Sequence, residues 1–313
     1  MPRMPAAKKS PAEKPKPARI GARGLNPTTA LAAASVAWLE HLKRSGLSSN
    51  TIKNYRIDVQ LLAGHYGAGT ALNQFTTKSL NEFIKWLQTG RSVPCAPKSL
   101  DRRITALKSF FKWAAQNAGL KSDPADAVIN VSVRSPLPAL LSDAEVDRAL
   151  GAAESFGERK LKPDPRPFAL LTLVLHTGLR KGEVARLEHR HLDFANRKAP
   201  ALYVRYADKR HRHKERRVDV DPDWVGIYED YVARTKKNPR VFPYSVRLLE
   251  YWLEDTTNHA GLAQRITFDR LRWKCAVTDY LADLEPDLLR RKLGVSKVQW
   301  SEVRRRIGQL AGK

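Results

Sequence analysis

The sequence predicts a mainly α-helical protein of two domains with one small β-hairpin, and three observations lead to this fold class. Apolar residues recur at helical spacing through residues 28–120. An apolar run at residues 168–175 is long enough to form a buried helix. Two short segments, residues 201–205 and 217–220, are typical of β-strands. A chain of 313 residues can build two domains with separate cores.

The charge of the chain points to an acidic partner. Formal net charge is +24, and basic residues recur from end to end. Such a charge destabilises a compact state unless it is neutralised, and nucleic acid is the usual neutraliser. Two cysteines, Cys95 and Cys275, provide neither a disulfide framework nor a zinc set. Because no apolar run reaches the roughly 18 residues of a membrane helix and no signal peptide is evident, we expect a cytoplasmic protein without membrane contact.

The N-terminal third begins with a basic arm and continues as a helical domain. Residues 1–27 are rich in lysine, proline, alanine and arginine, so we predict a disordered arm that either touches nucleic-acid phosphates or solubilises the chain. Residues 28–120 are predicted to form four helices: residues 28–44, a second from the turn at 47–51 to about residue 65, a third from residue 76 or 77, and residues 98–117.

A proline-marked linker and a second domain follow. Residues 121–139 contain Asp123-Pro124 and Pro136-Leu137-Pro138, an extended pattern that is typical of a domain boundary. Ser142 and Glu145 have the spacing of a capping box, which predicts a helix at the start of a domain over residues 140–313. Residues 154–167 are predicted to be a charged loop before the apolar helix.

Arg180 stands at a junction between two predicted helices. The stretch His176-Thr-Gly-Leu-Arg-Lys-Gly-Glu-Val184 follows the apolar run, and Gly178 allows the tight turn that ends it. A guanidinium between buried elements requires an anionic partner. Glu183 can provide it locally, or a phosphate can, because the planar fork of arginine binds phosphate oxygens in pairs.

The residues HTGLRKGEVARL resemble the first arginine box of the tyrosine recombinases, also called the phage integrase family, and the similarity extends over residues 29–300. The resemblance implies that Arg180 grips the scissile phosphate of double-stranded DNA. The phrases LSSNTIKNYRIDVQLLAGHYG and SLDRRITALKSFFKWA are similar to the family's all-helical core-binding domain, and residues 140–313 to its α+β catalytic domain. The implied DNA-contact candidates in the helical domain, each of which also fits a solvated helix face, are Lys53, Asn54, Arg56, Lys98, Arg102 and Arg103.

The hairpin tip at residues 206–216 is very basic. His191, His211 and His213 invite a metal interpretation, but the surrounding cations disfavour a divalent ion, so we predict no metal site. By the resemblance this hairpin carries a lysine that protonates the leaving 5′ oxygen. Lys209 matches that position best, with Lys214 as the second candidate, and both also fit plain phosphate contact.

The C-terminal stretch departs from the family pattern. Phe268-Asp-Arg-Leu-Arg-Trp273 matches the second box, with Arg272 on its arginine and Asp269 where a histidine is expected. We expect Asp269 to repel a phosphate and to pair with Arg270 or Arg272. Leu293-Gly294-Val295 matches leucine-glycine-histidine, so Val295 replaces a hydrogen-bond donor. Arg304 occupies the position of the nucleophilic tyrosine.

Other hydroxyls could replace that tyrosine. No tyrosine follows Tyr280, which lies in a predicted helix with Val277, Leu281 and Leu284 on one apolar stripe. Ser296 and Ser301 are near the expected position, but a serine without a positioned base is a weak nucleophile. A tyrosine between residues 228 and 251 is a further candidate.

These residues lead to three hypotheses. The first is a DNA-binding protein of the recombinase family, acting in DNA recombination or integration, that lacks its own cleavage chemistry or depends on an active recombinase as partner. The second is an active, divergent recombinase with an unconventional nucleophile. The third is a basic RNA- or chromosome-binding structural protein. The family mechanism needs no cofactor, and symmetric DNA sites imply self-association on paired half-sites.

Overall fold

The computed structural model of the protein describes residues 24–129 and 136–312, which form two compact units that divide between Pro136 and Leu137. We call them the helical unit and the C-terminal unit. The helical unit contains α1 (Leu31–Arg44), α2 (Ser49–Tyr66), α3 (Thr77–Lys85) and α4 (Pro97–Ala118), with a π-helical turn at Trp86–Gly90 directly after α3.

Aromatic side chains fill the core of the helical unit. Trp38 of α1 stacks on Tyr55 of α2, with ring centroids 5.6 Å apart, and meets the edge of Phe110 of α4 at 5.3 Å. Phe83 and Phe111 complete the set of large, fully buried rings. The apolar spacing in the sequence therefore does place one face of each helix inward, as an amphipathic helix requires.

The ends of the helical unit differ from the sequence prediction. Most of the predicted arm, residues 1–23, and the middle of the predicted linker, residues 130–135, lie outside the described residues. Leu25, near the end of the predicted arm, packs against the helical core. Ala125 and Val128, assigned to the linker from the prolines, are buried in the same core, because the chain turns back after α4 and the hydroxyl of Thr77 donates to Pro124 O at 2.9 Å.

A buried carboxylate joins α2 to α4. Asp58 of α2 is 2 % exposed and pairs with the guanidinium of Arg102 on α4. Its second oxygen lies 3.5 Å from Nε of Arg103, whose side chain is 15 % exposed. Arg103 also donates to Sγ of Cys95 at 2.6 Å. Two arginines that the sequence placed on a solvent-facing DNA surface are thus held partly inside the unit.

The C-terminal unit combines helices with a small antiparallel sheet of order β1-β2-β3. The strands are β1 (Leu192–Asp193), β2 (Ala201–Val204) and β3 (Arg216–Asp219), and Leu202 lies opposite both Leu192 and Val218. The helices are α5 (Asp143–Gly157), α6 (Arg166–Thr177), α7 (Lys181–Val184), α8 (Pro222–Ala233), α9 (Val246–His259), α10 (Phe268–Leu281), α11 (Pro286–Lys292) and α12 (Lys297–Leu310). The mainly helical fold class with a small hairpin is therefore confirmed.

Helix α6 is the centre of this unit. It packs against α5, α8, α9 and α10, and most of its side chains are buried, as the continuous apolar run predicts. Its predecessor is longer than expected: α5 continues to Gly157 because Ala153 and Phe156 are buried, so the charged loop spans residues 158–165 only. In the described parts of the chain, no helix combines the length and the apolar character that a membrane span needs.

A separate apolar cluster ties α10 to α11 and α12. Ala276 and Val277 of α10 meet Leu289 of α11 and Ile307 of α12. The predicted stripe along α10 is wrong in one member, since Leu281 is 50 % exposed at the end of the helix. This cluster positions the turn between α11 and α12 beside the end of α6.

We expect the substitution Asp58→Ala to destabilise the helical unit by about 3 kcal/mol, the lower end of the range for a broken buried ion pair, since Arg102 still reaches solvent. Hydrogen exchange of the α2 and α4 amides in the full chain measures this local opening. Asp101→Ala, at an exposed position of α4, is the matched control and should change protection little. Equal effects of the two substitutions would contradict a stabilising role for the Asp58 ion pairs.

Candidate phosphate-binding site

The turn that carries Arg180 begins where α6 ends. The hydroxyl of Thr177 donates to Leu173 O at 2.5 Å, and Gly178 follows in the left-handed conformation at φ 60°. A side chain at residue 178 would also meet Leu293 and Cys275 at 3.2 and 3.3 Å. Glycine therefore serves both the backbone conformation and the close packing, which sets the direction in which Arg180 leaves the turn.

Glu183 is the anion beside Arg180, and it is shared. Its carboxylate accepts hydrogen bonds from the backbone N–H of Arg180 at 2.8 Å and from its guanidinium at 3.0 Å. Arg216 donates two parallel bonds to the same carboxylate at 2.9 and 3.0 Å, and the hydroxyl of Tyr206 donates a further one at 2.6 Å. Burial by itself would raise the pKa of Glu183, but the bonds and charge of Arg216 outweigh it and hold the pKa at about 2.

Arg216 is a site residue that the sequence analysis did not single out. Its side chain is 7 % exposed, and its Nε donates to Lys292 O at 2.8 Å. The signal that could have found it is the alternation along β3, in which Arg216 and Val218 are less exposed than Arg217 and Asp219. A predicted inward-facing arginine requires a buried acceptor, and Glu183 is that acceptor.

The side chain of Arg272, on α10, extends to the same turn after α6. Its guanidinium donates to Gly178 O and to Leu293 O. Burial, and after it the nearby positive charge of Arg180, lower the pKa of Arg272 to about 10. The two arginines that the family resemblance assigns to the phosphate therefore do come together, with Arg216 as a third.

The segment Leu293-Gly294-Val295 passes between these arginines. Gly294 has φ 57°, and its carbonyl accepts a hydrogen bond from Nη2 of Arg180 at 2.8 Å. A Cβ at this residue would lie 2.7 Å from Nη1 of Arg216 and 3.2 Å from Nη1 of Arg180. Only glycine leaves room for both guanidinium groups.

A cavity of about 1090 Å³ opens between the hairpin and the turn from α11 to α12. We call it the arginine cavity. Lys214 lies in its wall, whereas Lys209 is exposed in the short helical turn of residues 209–214 and does not line it. Its lining residues are Arg180, His213, Lys214, Glu215, Arg216, Arg217, Arg290, Arg291, Gly294, Val295, Ser296, Lys297, Val298 and Gln299.

The three positions that depart from the family pattern have different surroundings. Asp269 is exposed in the first turn of α10 and forms no ion pair with a described residue. The expected pairing is wrong because Arg270 donates to the carbonyls of residues 139 and 264 and Arg272 to carbonyls near Arg180; the helix N-terminus stabilises the Asp269 carboxylate instead. Val295 is buried in the cluster of α10 and α12, and Arg304 is exposed on α12.

None of the nine tyrosines, all of which lie within the described residues, lines the arginine cavity. The hydroxyl of Tyr206 donates to Glu183. Burial and, after it, the Glu183 carboxylate raise the pKa of Tyr206, which opposes ionisation of this hydroxyl. Tyr280 is half-buried beside the cluster of α10 and α12. Ser296 is the N-cap of α12 and does line the cavity, whereas Ser301 is exposed further along that helix.

The remaining candidates are distributed as follows. Lys53, Asn54 and Arg56 are exposed on α2 and Lys98 on α4. His191 accepts a hydrogen bond from Glu188 N at 3.2 Å, and His211 and His213 are exposed on the hairpin tip. Across residues 24–129 and 136–312, no group of three or more His, Cys, Asp or Glu side chains is arranged to hold a metal ion.

Comparison with known proteins identifies the family. Residues 36–118 match the domain described as "Phage integrase, N-terminal SAM-like domain". A tyrosine recombinase of Thermosipho africanus (strain TCF52B) is 26 % identical over 209 residues, which cover 66 % of this chain and 68 % of that protein. Tyrosine recombinase XerC of Mycobacterium leprae (strain TN) is 31 % identical over 160 residues, 50 % of this chain and 53 % of that relative. The chain belongs to the tyrosine recombinase and phage integrase family.

Solved structures agree on the fold. XerH site-specific recombinase bound to a palindromic difH substrate superposes with a TM-score of 0.75 at 16 % identity, covering 94 % of this chain and 96 % of that one. A lambda integrase dimer bound to a COC' core site gives a TM-score of 0.69, also at 16 % identity, and covers 88 % of this chain and 77 % of that one. At 16 % identity, the similarity shows that this chain and these two proteins share a fold.

The depressed pKa of Glu183 predicts acid sensitivity of the C-terminal unit. The folded pKa of about 2 lies below that of an unfolded glutamate, so the stabilisation is complete above about pH 5 and is lost as the pH falls towards 2. We expect it to amount to roughly 3 kcal/mol of the free energy of unfolding. Denaturant unfolding followed between pH 5 and 2 should show that Glu183→Gln removes this component.

Glu229→Gln is the control, because Glu229 forms an exposed ion pair with Arg197 at 2.5 Å. Its pH dependence should match that of the unaltered protein. If both variants lost the same part of the pH dependence, the acid sensitivity would not arise from the bonds between Glu183 and the arginines.

Proposed function

We propose that this protein binds double-stranded DNA with a recombinase fold, acts in DNA recombination or integration, and has no strand-cleaving nucleophile of its own. One observation carries the proposal: Arg180 and Arg216 line a large cationic cavity from which every tyrosine is absent. Guanidinium groups bind and orient a phosphate, but without a nucleophile no covalent intermediate with DNA can form.

Arg180 is the arginine best placed to hold the phosphate. A guanidinium has five N–H donors, and Arg180 uses one on Glu183 and one on Gly294 O, with its side chain 37 % exposed. Arg216 uses four, on Glu183, Lys292 O and Lys214 O. Arg272 is bound to two carbonyls. Arg216 and Arg272 therefore support the site, and three donors of Arg180 remain for the ligand.

The chemistry of cleavage is missing at three positions. Asp269 places a carboxylate, Val295 a hydrocarbon and Arg304 a guanidinium where the family resemblance implies two histidines and a tyrosine. A carboxylate repels the phosphodiester, and a valine cannot donate a hydrogen bond. Lys214, which lines the cavity, is better placed than Lys209 to contact the phosphate.

The helical unit would supply the rest of the DNA surface. Lys53, Asn54, Arg56 and Lys98 are exposed there, and Asp58 directs Arg102 and Arg103. Several similar structures are described as recombinases bound to DNA, one of them as a lambda integrase dimer. We therefore propose self-association on paired half-sites, with an active recombinase as the partner that supplies the cleavage step.

Covalent capture tests the proposal. The purified protein is incubated with sheared DNA from its own source, denatured in SDS and examined for DNA-linked protein, while a parallel sample is filtered under native conditions at moderate salt. We expect native retention of specific fragments without covalent linkage. Arg180→Gln should weaken retention and reduce its salt slope by about one phosphate contact. A DNA-linked peptide, or retention that is unchanged in Arg180→Gln, would contradict the proposal.

A second candidate function is an active recombinase that uses Ser296, and one observation favours it: Ser296 lies in the wall of the same cavity as Arg180. Its hydroxyl lies 3.2 Å from the side-chain oxygen of Gln299, an amide that is a poor base. In this case the capture experiment yields a DNA-linked peptide that contains Ser296 and disappears in Ser296→Ala. The same peptide persisting in Ser296→Ala would exclude this serine.

A further inference from the structure

A second basic pocket lies outside the arginine cavity and shares none of its lining residues. It has a volume of about 330 Å³ and opens beside the loop at residues 234–240, which follows α8. We call it the loop pocket. Its lining includes the rings of His189 and Tyr228, which we call the ring wall, and the cations Lys236, Lys237 and Arg240, which we call the rim. The volume falls in the range of small-molecule sites.

The cations of this rim differ from the arginines around them. Arg190, Arg197 and Arg234 are each neutralised by a carboxylate, at 2.6, 2.5 and 2.7 Å. Within the described residues, Lys236 and Lys237 have no carboxylate at ion-pair distance, and neither does Arg240. A local excess of positive charge next to neutralised neighbours favours an anionic ligand, because the self-repulsion is relieved when the anion binds.

Contacts on several sides hold the two rings of the ring wall in place. Nδ1 of His189 and the hydroxyl of Tyr228 are 2.6 Å apart, and their ring centroids are separated by 5.8 Å. Tyr228 is supported from behind by Trp224 and Phe194, at 5.5 and 5.3 Å. Fixed aromatic rings offer stacking or edge contacts to a nucleobase with little loss of side-chain entropy.

We propose that the loop pocket binds a nucleotide phosphate, with the base against His189 and Tyr228 and the phosphate against Lys236, Lys237 and Arg240. The phosphate belongs either to a DNA strand outside the arginine cavity or to a free nucleotide, since both present the same ester group. The DNA source rests on the proposed function, whereas the free nucleotide does not.

The test uses the full chain and the double variant Lys236→Gln/Lys237→Gln. Both lysines are exposed, so the substitutions should leave the fold intact. The control is Lys160→Gln/Lys162→Gln, which removes the same charge from an exposed loop whose two lysines do not line the loop pocket. Two measurements are made on each protein: the salt dependence of binding to a fluorescent duplex of arbitrary sequence, and calorimetric titration with dAMP and with inorganic phosphate.

The two sources give different results. If the phosphate comes from DNA, the double variant lowers the slope of log affinity against log salt by about 0.9 for each lost contact, and the control does not. If it comes from a free nucleotide, dAMP binds the unaltered protein and binds the double variant about tenfold more weakly or not at all. The salt dependence of duplex binding is then the same for the double variant and the unaltered protein. If inorganic phosphate binds as tightly as dAMP, the base adds nothing to the affinity, and the proposed contact of the base with His189 and Tyr228 is wrong.

The inference is overturned if neither measurement distinguishes the double variant from the control. Failure of the proposed function looks different, because the unaltered protein would then not bind the duplex at all. In that event the dAMP titration alone decides whether the loop pocket is a nucleotide site.

Discussion

The arrangement of the C-terminal unit depends on one buried carboxylate. Glu183 receives hydrogen bonds from Arg180, Arg216 and Tyr206, which come from the turn after α6 and from two sides of the hairpin. Without it, the guanidinium groups of Arg180 and Arg216 would repel each other. Two like charges about 4 Å apart repel by about 4 kcal/mol at an effective dielectric constant near 20. The glutamate thus holds the hairpin to the helical core and directs Arg180 into the cavity at the same time.

The same arrangement explains how binding and cleavage can be separated. The support for Arg180 consists of the backbone carbonyl of Gly294, the carboxylate of Glu183 and, through that carboxylate, Arg216, all of which act whether or not a nucleophile is present. Val295 belongs to an apolar cluster that positions α12, so a hydrocarbon at this residue serves packing. Under the proposed function, the site keeps the groups that hold a phosphate while the groups that move protons or attack phosphorus have been replaced.

Charge is distributed unevenly over the chain. Buried carboxylates direct arginines inward in both units, Asp58 in the first and Glu183 in the second. The exposed Arg197 and Arg234 have carboxylate partners, whereas the lysines of the loop pocket have none among the residues that the structure describes. A net charge of +24 therefore favours an acidic partner, and the positions of the uncompensated cations favour particular places for it to bind.

The sequence by itself determined the helices, the hairpin and the family, because amphipathic spacing, capping residues and the stretch around Arg180 are local properties. It also indicated that Arg180 and Arg272 belong to one site. Only the tertiary structure revealed Arg216 as their support, set Lys214 rather than Lys209 in the cavity wall, and left Asp269 without an arginine partner among the described residues. These outcomes depend on contacts between residues far apart in the chain, such as Arg216 with Lys292 O, which spacing along the sequence does not encode.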